Sequence, residues 1–318
     1  MTEVAPRIAP PVALPSYTLL LLGSDGSAAA HEATRHALAV ASRTGATLEI
    51  VYVVETGLPL PGGVSAWERI GRRHLADLER LARRYGVTAR GAVLSGGSAG
   101  QVLVAEAEAV GADLVVVGSR SLSLAERLVE RLVVGLGSTA QHVVSYARCP
   151  ALVVPLRVVE EPTGEPPAYA RLLHATDGSP QARQAALHAI YLAHRFGAAL
   201  HVVSLVETAP LVPPAEHRRA AAEMAVREAI EWARAHGVRA DGEVIAVTRV
   251  AQTIERLARE RGVDLIVVGT RGLTAARQVL EQVLTGVGSV TNHLIQHAPC
   301  PVLAVRSPYQ PPASTGAP

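Results

Sequence analysis

The chain repeats itself. Asp25 recurs as Asp177 and Glu55 as Glu207, each 152 positions on. After a one-residue slip in a loop, Asp113 recurs as Asp264, Gly118 as Gly269, Gly137 as Gly288 and Cys149 as Cys300, each 151 positions on. Solenoid repeats run ~20–50 residues, so a period this long marks a whole domain duplicated. A chain of 318 residues suits two domains, and the repeat requires both to fold by one plan. The boundaries expected are an arm at 1–16, a first domain at 17–156, a linker at 157–169, a second domain at 170–306 and a tail at 307–318. The arm "MTEVAPRIAPPVALPS" and the tail "SPYQPPASTGAP" are proline-rich and read as disordered, and the Pro- and Glu-rich "PLRVVEEPTGEPPAYA" reads as the connection between domains.

Within each copy, strand and helix patterns alternate. In the first, "YTLLLLG" is a buried strand running into Asp25-Gly26-Ser27, and a helix follows over about 28–43, stopped by Gly45. "TLEIVYVV" is a second strand, and a longer helix over about 66–85 places Leu75, Leu78, Ala82 and Tyr85 on one face. "VTARGAVL", "DLVVVG" and "PALVVP" are the remaining strands, with helices at "SAGQVLVAEAEAVG" and 138–147 between them. The second copy repeats this from "RLLHATDGS" to "CPVLAVR". Continuous Val/Leu/Ile strands between amphipathic helices mean a parallel sheet covered on both faces.

In such a sheet, ligands sit beyond the carboxyl ends of the strands, where strand order reverses. Asp25 and Asp177 follow the first strands, Gly118 and Gly269 end the fourth, and Gly137-Ser138 and Gly288-Ser289 open the fourth helices. A helix N-terminus presents unpaired N–H groups and a partial positive charge, which suits a phosphate. Arg120 and Arg271 could add charge on the same rim. The competing reading is purely structural, because Asp-Gly-Ser after a strand is a common turn and cap. Several such features converging at one sheet edge, twice over, favour an anion or nucleotide site.

These motifs give the chain a specific resemblance. The Asp-Gly-Ser turns, "DLVVVGSR" and "DLIVVGTRG", Gly-Ser before the last helix, and "ARCPALVV" and "HAPCPVLAV" at the last strand are similar to those of universal stress protein domains. The resemblance covers nearly the whole chain outside tails and linker. It implies an α/β fold of two Rossmann-like doubly wound domains, each a five-stranded parallel sheet of order 3-2-1-4-5 with helices on both faces. It also implies an adenine-nucleotide site, with ATP and Mg²⁺ as the expected ligand. In the second copy the nucleotide motif reads Gly269-Thr270-Arg271-Gly272, a spacer, then Gly288-Ser289-Val290-Thr291. By similarity Asp177 lies near the adenosine, the Leu205 backbone near adenine, and the glycine and hydroxyl residues around the phosphates. A weaker site is expected in the first copy, at Asp25, Val53, Gly118, Ser119, Arg120, Gly137, Ser138 and Thr139. There Ser121 replaces the second glycine and Thr139-Ala140 the Val-Thr pair. Relatives often dimerise through the last strand. A tandem chain can do so internally, with "ALVVP" beside "VLAVR", hiding two sheet edges; a further homodimer is also expected.

Both spacers depart from the family pattern. Residues 122–136 and 273–287 span fifteen positions each, against about nine in the usual motif. Leu124, Leu128 and Leu132 form one helical stripe, as do Leu280, Val283, Leu284 and Val287. Helices packed at an interface are expected over 122–134 and 273–285, the alternative being a lid over the nucleotide.

Other features exclude more than they assign. The chain has no lysine, hence no P-loop or Schiff-base lysine. Its formal charge of +2 argues against general nucleic-acid binding. No apolar run approaches the ~18 residues of a membrane span, and the start of the chain reads as no secretion signal. Two cysteines fit a reducing, cytoplasmic setting. "LSGGSAG" follows a third strand and reads as a turn. His293 and His297 have metal-ligand spacing, but no third ligand is evident nearby in sequence, so no metal site is expected. With neither a general base nor an acidic metal pair evident, no catalytic residue is assigned. The expected function is nucleotide-dependent stress response or signalling without rapid turnover. The alternatives are a slow ATPase and a nucleotide-free interaction protein of unknown partner.

Overall fold

The computed structural model describes residues 12–56, 62–119, 138–156, 165–208, 215–270 and 289–306. The first half runs β1 (Leu19–Gly23), α1 (Ala28–Thr44), β2 (Thr47–Glu55), α2 (Val64–Arg84), β3 (Ala89–Gly96), α3 (Ala99–Val110), β4 (Leu114–Gly118), α4 (Ser138–Tyr146) and β5 (Ala151–Val154). The second runs β6 (Arg171–Thr176), α5 (Pro180–Phe196), β7 (Ala199–Glu207), α6 (Ala215–Ala235), β8 (Ala240–Val247), α7 (Val250–Glu260), β9 (Leu265–Thr270), α8 (Ser289–His297) and β10 (Val302–Arg306).

Local chemistry accounts for these boundaries. Ser27 caps α1 by accepting from the Ala30 N–H, and Gly45 ends it at φ +78°, a conformation that costs glycine little. Ser179 caps α5 in the same way, with Pro180 in the first turn and Gly197 closing it at φ +68°. The "LSGGSAG" stretch is a strand end and a helix cap: Ser98 and Gln101 form a capping box at the start of α3.

The ten strands among the described residues form one sheet, in the order β3-β2-β1-β4-β5-β10-β9-β6-β7-β8. Each half is the expected 3-2-1-4-5 parallel arrangement. The seam is antiparallel, with Ala151 opposite Ala304, Leu152 opposite Leu303 and Val153 opposite Val302. Two apolar cores lie on the two faces, and each continues across both halves. One gathers Leu20, Leu22, Leu38, Leu172 and Ile190 under α1, α2, α5 and α6. The other gathers Leu21, Val143, Leu173, Ile254 and Leu294 under α3, α4, α7 and α8.

Buried polar pairs fix the seam with pseudo-twofold symmetry. Tyr17, which precedes β1, places its hydroxyl 2.8 Å from His188 Nδ1 on α5. Its repeat partner Tyr169 places its hydroxyl 2.8 Å from His36 Nδ1 on α1. Arg195 Nε donates to the Arg43 carbonyl at 2.7 Å, at the end of α1, and the Arg43 guanidinium lies over the Phe196 ring. The recurring Asp113 and Asp264 tether the strand starts: Asp113 accepts from the Thr18 and Leu19 N–H groups, and Asp264 from those of Ala170 and Arg171. Neither Cys149 nor Cys300 forms a disulfide. Cys300 is fully buried, and burial pushes the Cys149 thiol up to about 11, so neither is primed as a nucleophile. No helix among the described residues is long and apolar enough to cross a membrane.

Candidate functional site

The strand order reverses between β1 and β4, and a cleft opens there. It takes in about 470 Å³ including its mouth, and its walls include Ser24, Asp25, Val51, Val53, Leu103, Gly118 and Thr139. Most of that is open mouth: the enclosed space is about 60 Å³, well below the few-hundred-Å³ range of small-molecule sites. Four residues singled out in the sequence therefore meet: Asp25 from the β1–α1 turn, Val53 from β2, Gly118 from the end of β4 and Thr139 from the first turn of α4. Ser27, Ala29 and Ala30 bring the N-terminus of α1 to the same wall. Neither α1 nor α4 has an acidic residue in its first turn, and the carboxylate at the start of α1 is that of Asp25, two residues before the cap Ser27.

The aspartate turns are built alike in both halves. Asp25 Oδ1 accepts from the Ser27 N–H at 2.9 Å, and Asp177 Oδ1 from the Ser179 N–H at 3.0 Å. Gly26 and Gly178 between them sit at φ +78° and +74°. Both aspartates lie just beyond their strands, which end at Gly23 and Thr176.

Gly118 and Gly269 are glycines for a reason the sequence did not disclose. A Cβ on Gly118 would lie 2.8 Å from the Ala29 carbonyl oxygen, and one on Gly269 would lie 2.7 Å from the Gln181 carbonyl carbon. The strand end passes directly beneath the first turn of α1 or α5, and only glycine permits that approach. The hydroxyls next to these glycines turn inward. Ser119 is buried and its N–H donates to Val154 O. Thr270 is buried with its hydroxyl donating to Val305 O at 3.4 Å. In α8, Thr291 is buried, while Val290 is half-buried against the core of that face. Leu205 packs beside the same core, at the β7 position that corresponds to Val53 in β2. Arg120, Gly137, Arg271, Gly272 and Gly288 lie outside the described residues, as do both spacers at 122–136 and 273–287. For Ser138 and Ser289, the structure gives the backbone as the first residue of α4 and α8.

One group on the rim was missed from sequence. Ser24 Oγ lies 2.9 Å from His74 Nε2, and the His31 and Tyr52 rings stand edge-on to His74 with centroids 6.1 Å away. Burial lowers the His74 pKa and the neighbouring His31 lowers it further, against opposing pulls from Asp25 and Asp77. Burial and Asp25 together raise Tyr52. In the second half the corresponding residues are Thr176, Arg183, Ser204 and Ala225. His74 sits in mid-helix, far from any motif, and only this comparison of copies could have flagged it.

The apolar walls of the cleft suit a flat base, and Asp25 and Ser24 supply polar groups at its edge. Among the described residues, no group of three or more His, Cys, Asp or Glu is gathered as a metal cage.

Comparison with known proteins matches this architecture. The model of the universal stress protein family fits residues 16–155 and again 168–306. A universal stress protein of Methanocaldococcus jannaschii is 31% identical over 149 residues, covering 44% of this chain and 84% of that protein. One from Thermus aquaticus is 34% identical over 142 residues, covering 43% of this chain and 99% of that protein. Among solved structures, a universal stress protein from Archaeoglobus fulgidus superposes with a TM-score of 0.68 at 17% identity, over 92% of this chain and 97% of that one. A protein from Pseudomonas aeruginosa, described as a putative universal stress protein, superposes with a TM-score of 0.61 at 19% identity, over 91% and 93%. These two likenesses speak to fold alone.

Proposed function

The chain belongs to the universal stress protein family, and we propose that it is a tandem adenine-nucleotide-binding module, with ATP as its ligand, acting in stress response or signalling by occupancy and without rapid turnover. The observation that carries this reading is the cleft at the β1/β4 reversal. Asp25, Val53, Gly118 and Thr139 converge there beside two helix N-termini that hold no carboxylate in their first turns. Val51, Val53 and Leu103 offer an apolar slot for the base, and the helix ends favour the negative charge of the phosphates. The second half presents Asp177, Leu205, Gly269 and Val290-Thr291 at equivalent positions, with Gly272 in the motif. It is proposed as the tighter of two sites.

The absence of lysine and of any evident general base supports binding over catalysis. Mg²⁺ would accompany the phosphates as part of the ligand. The test is calorimetric titration of the purified chain with ATP, with and without Mg²⁺, and a turnover assay under saturating MgATP. Saturable heat without phosphate release supports the proposal. Saturable heat with steady release makes the chain a slow ATPase. No heat, and no nucleotide retained through purification, leaves a nucleotide-free interaction module.

A further inference from the structure

Positive charge is spread unevenly over the chain, and α2 gathers much of it. That helix carries six arginines against three acids. An α-helix turns by about 100° per residue and rises ~1.5 Å. Arg69, Arg72, Arg73, Arg80, Arg83 and Arg84 therefore project within an arc of about 120°, along a length of about 22 Å. All six are exposed. The acids do little to neutralise this file. Glu68 pairs with Arg72 at 3.4 Å, and Asp77 pairs with Arg80. The Arg72 and Arg80 side chains remain 61% and 66% exposed, so neither pair is held firmly. Glu79 accepts from the Gly91 N–H on β3 at 2.7 Å. Among the described residues, Arg69, Arg73, Arg83 and Arg84 form no ion pair.

The second half supplies an internal control. Its equivalent helix, α6, carries four arginines against four acids. The six positions there hold Ala220, Glu223, Met224, Glu231, Arg234 and Ala235. Both helices bury the same face, through Leu75, Leu78 and Ala82 in α2 and Val226, Ala229 and Ala233 in α6. Packing on the sheet therefore requires none of the arginines, and a mixed set of charges serves solubility equally well.

We propose that the outer face of α2 is a docking surface for the phosphate backbone of a nucleic-acid duplex, held without reading its sequence. A duplex is a stiff line of charge, with one phosphate per ~1.7 Å of its axis, and arginines that neutralise phosphates release counterions. A straight file of guanidinium groups complements that line. Single strands are held by bases stacked on aromatic rings, but here Trp67 and Tyr85 pack against the core. Helices that lie on a lipid surface turn an apolar face outward. The apolar face of α2 is buried, and its exposed large hydrophobics, Val64 and Ile70, are too few for such a face. The formal charge of +2, which argues against nucleic acid as a general partner, averages this face with the rest of the chain. None of the six arginines lines the β1/β4 cleft, so docking here is independent of the nucleotide reading.

The experiment titrates the full chain, without nucleotide, into a fluorescently labelled duplex of mixed sequence and reads anisotropy from about 50 to 200 mM salt. Dissociation constants of about 10⁻⁶ to 10⁻⁴ M are expected near the upper salt. Log K should fall against log[salt] with a slope between about −3.5 and −5.5, as roughly four to six phosphates are engaged. Two variants install residues of the second half, so both should fold: Arg72→Glu with Arg73→Met and Arg80→Glu, and Arg69→Ala with Arg84→Ala. The triple variant should weaken binding at least tenfold and flatten the slope by about 2.7, and the double variant should flatten it by about 1.8. Arg219→Ala with Arg227→Ala, on α6, should change neither quantity. Circular dichroism checks each fold, and either variant alone suffices for the test. The proposal is overturned if the parent chain takes up no duplex, or if a folded variant binds as the parent does. It is also overturned if vesicles rich in phosphatidylserine are bound and the duplex is not.

Discussion

The two halves share a scaffold and differ around the carboxyl end of the first strand. The contacts at the seam, the strand starts and the first helix are kept in register. Asp113 and Asp264 tether strand starts, Tyr17–His188 and Tyr169–His36 clasp the seam, and Gly118 and Gly269 admit the first helix. Residues around the carboxyl end of the first strand have diverged. Ser24, His31, Tyr52 and His74 stand against Thr176, Arg183, Ser204 and Ala225. A charge pair on β2 and β3, Glu49 with Arg90 at 2.6 Å, becomes His201 with Asp241 at 2.6 Å on β7 and β8, so the acid has changed strands. The difference teaches which repeated residues serve folding and which positions were free to diverge.

The largest effect should come from testing the shared part. Gly118→Val and Gly269→Val place a branched side chain against helix backbone less than 3 Å away. Neither strand end nor helix can yield without moving the sheet. Each should cost about 3 kcal/mol or more, read as a fall in the denaturant midpoint. Equal losses support a common packing role. If either variant keeps full stability and loses only ATP affinity, its glycine serves the ligand and not the fold.

Acid should separate the halves next. His174 lies in the second half, where the first has Leu22. It is fully buried, with Nδ1 3.1 Å from the Val267 carbonyl and no hydrogen-bond partner for Nε2. Burial pushes its pKa down to about 4, and likewise that of His188 at the seam. In the unfolded chain a histidine titrates near ~6.5. Between those values the unfolded state binds more protons, so stability is intact above about pH 6.5 and declines as pH falls toward 4. Each histidine contributes on the order of 2–3 kcal/mol to that decline. His174→Leu should remove its share and, by removing an unsatisfied buried nitrogen, raise stability at neutral pH. Midpoints measured from pH 7 to 4.5 that fall equally in parent and variant would refute this.

The seam tests symmetry at smaller scale. Tyr17→Phe and Tyr169→Phe each remove one hydroxyl and leave a histidine nitrogen short of a partner in a buried site. Losses of about 1–2 kcal/mol are expected, matched between the two. A large loss for one alone would show that the seam is not the pseudo-symmetric joint its geometry describes.

Helix limits were legible because their signals are local, whereas strand order and the pairing of the two last strands were implied by the family resemblance. Runs such as "LLLLG", serine before a helix and glycine after it each fix backbone over a few residues. The remainder depends on distance. Tyr17 meets His188, and Glu255 meets His293, only after the sheet has formed, and no spacing rule connects them. Gly118 was legible as important and illegible as to why, because a turn glycine and a packing glycine read alike. His74 carried no motif, and its partner Ser24 was read only as part of a turn.

The smallest effect bears most directly on function. Asp25→Asn and Asp177→Asn keep a side-chain oxygen that can accept from Ser27 or Ser179, so both turns should survive with stability changed by about 0.5 kcal/mol or less. What each loses is a negative charge and one acceptor site at the edge of the ligand. The second half is expected to bind ATP more tightly. There Gly272 and Val290-Thr291 complete the motif, where the first half has Ser121 and Thr139-Ala140. Asp177→Asn should then weaken the tighter calorimetric phase several-fold and Asp25→Asn should leave that phase alone. The reverse pattern would move the principal site to the first half, into the cleft lined by Ser24, Val53 and Gly118.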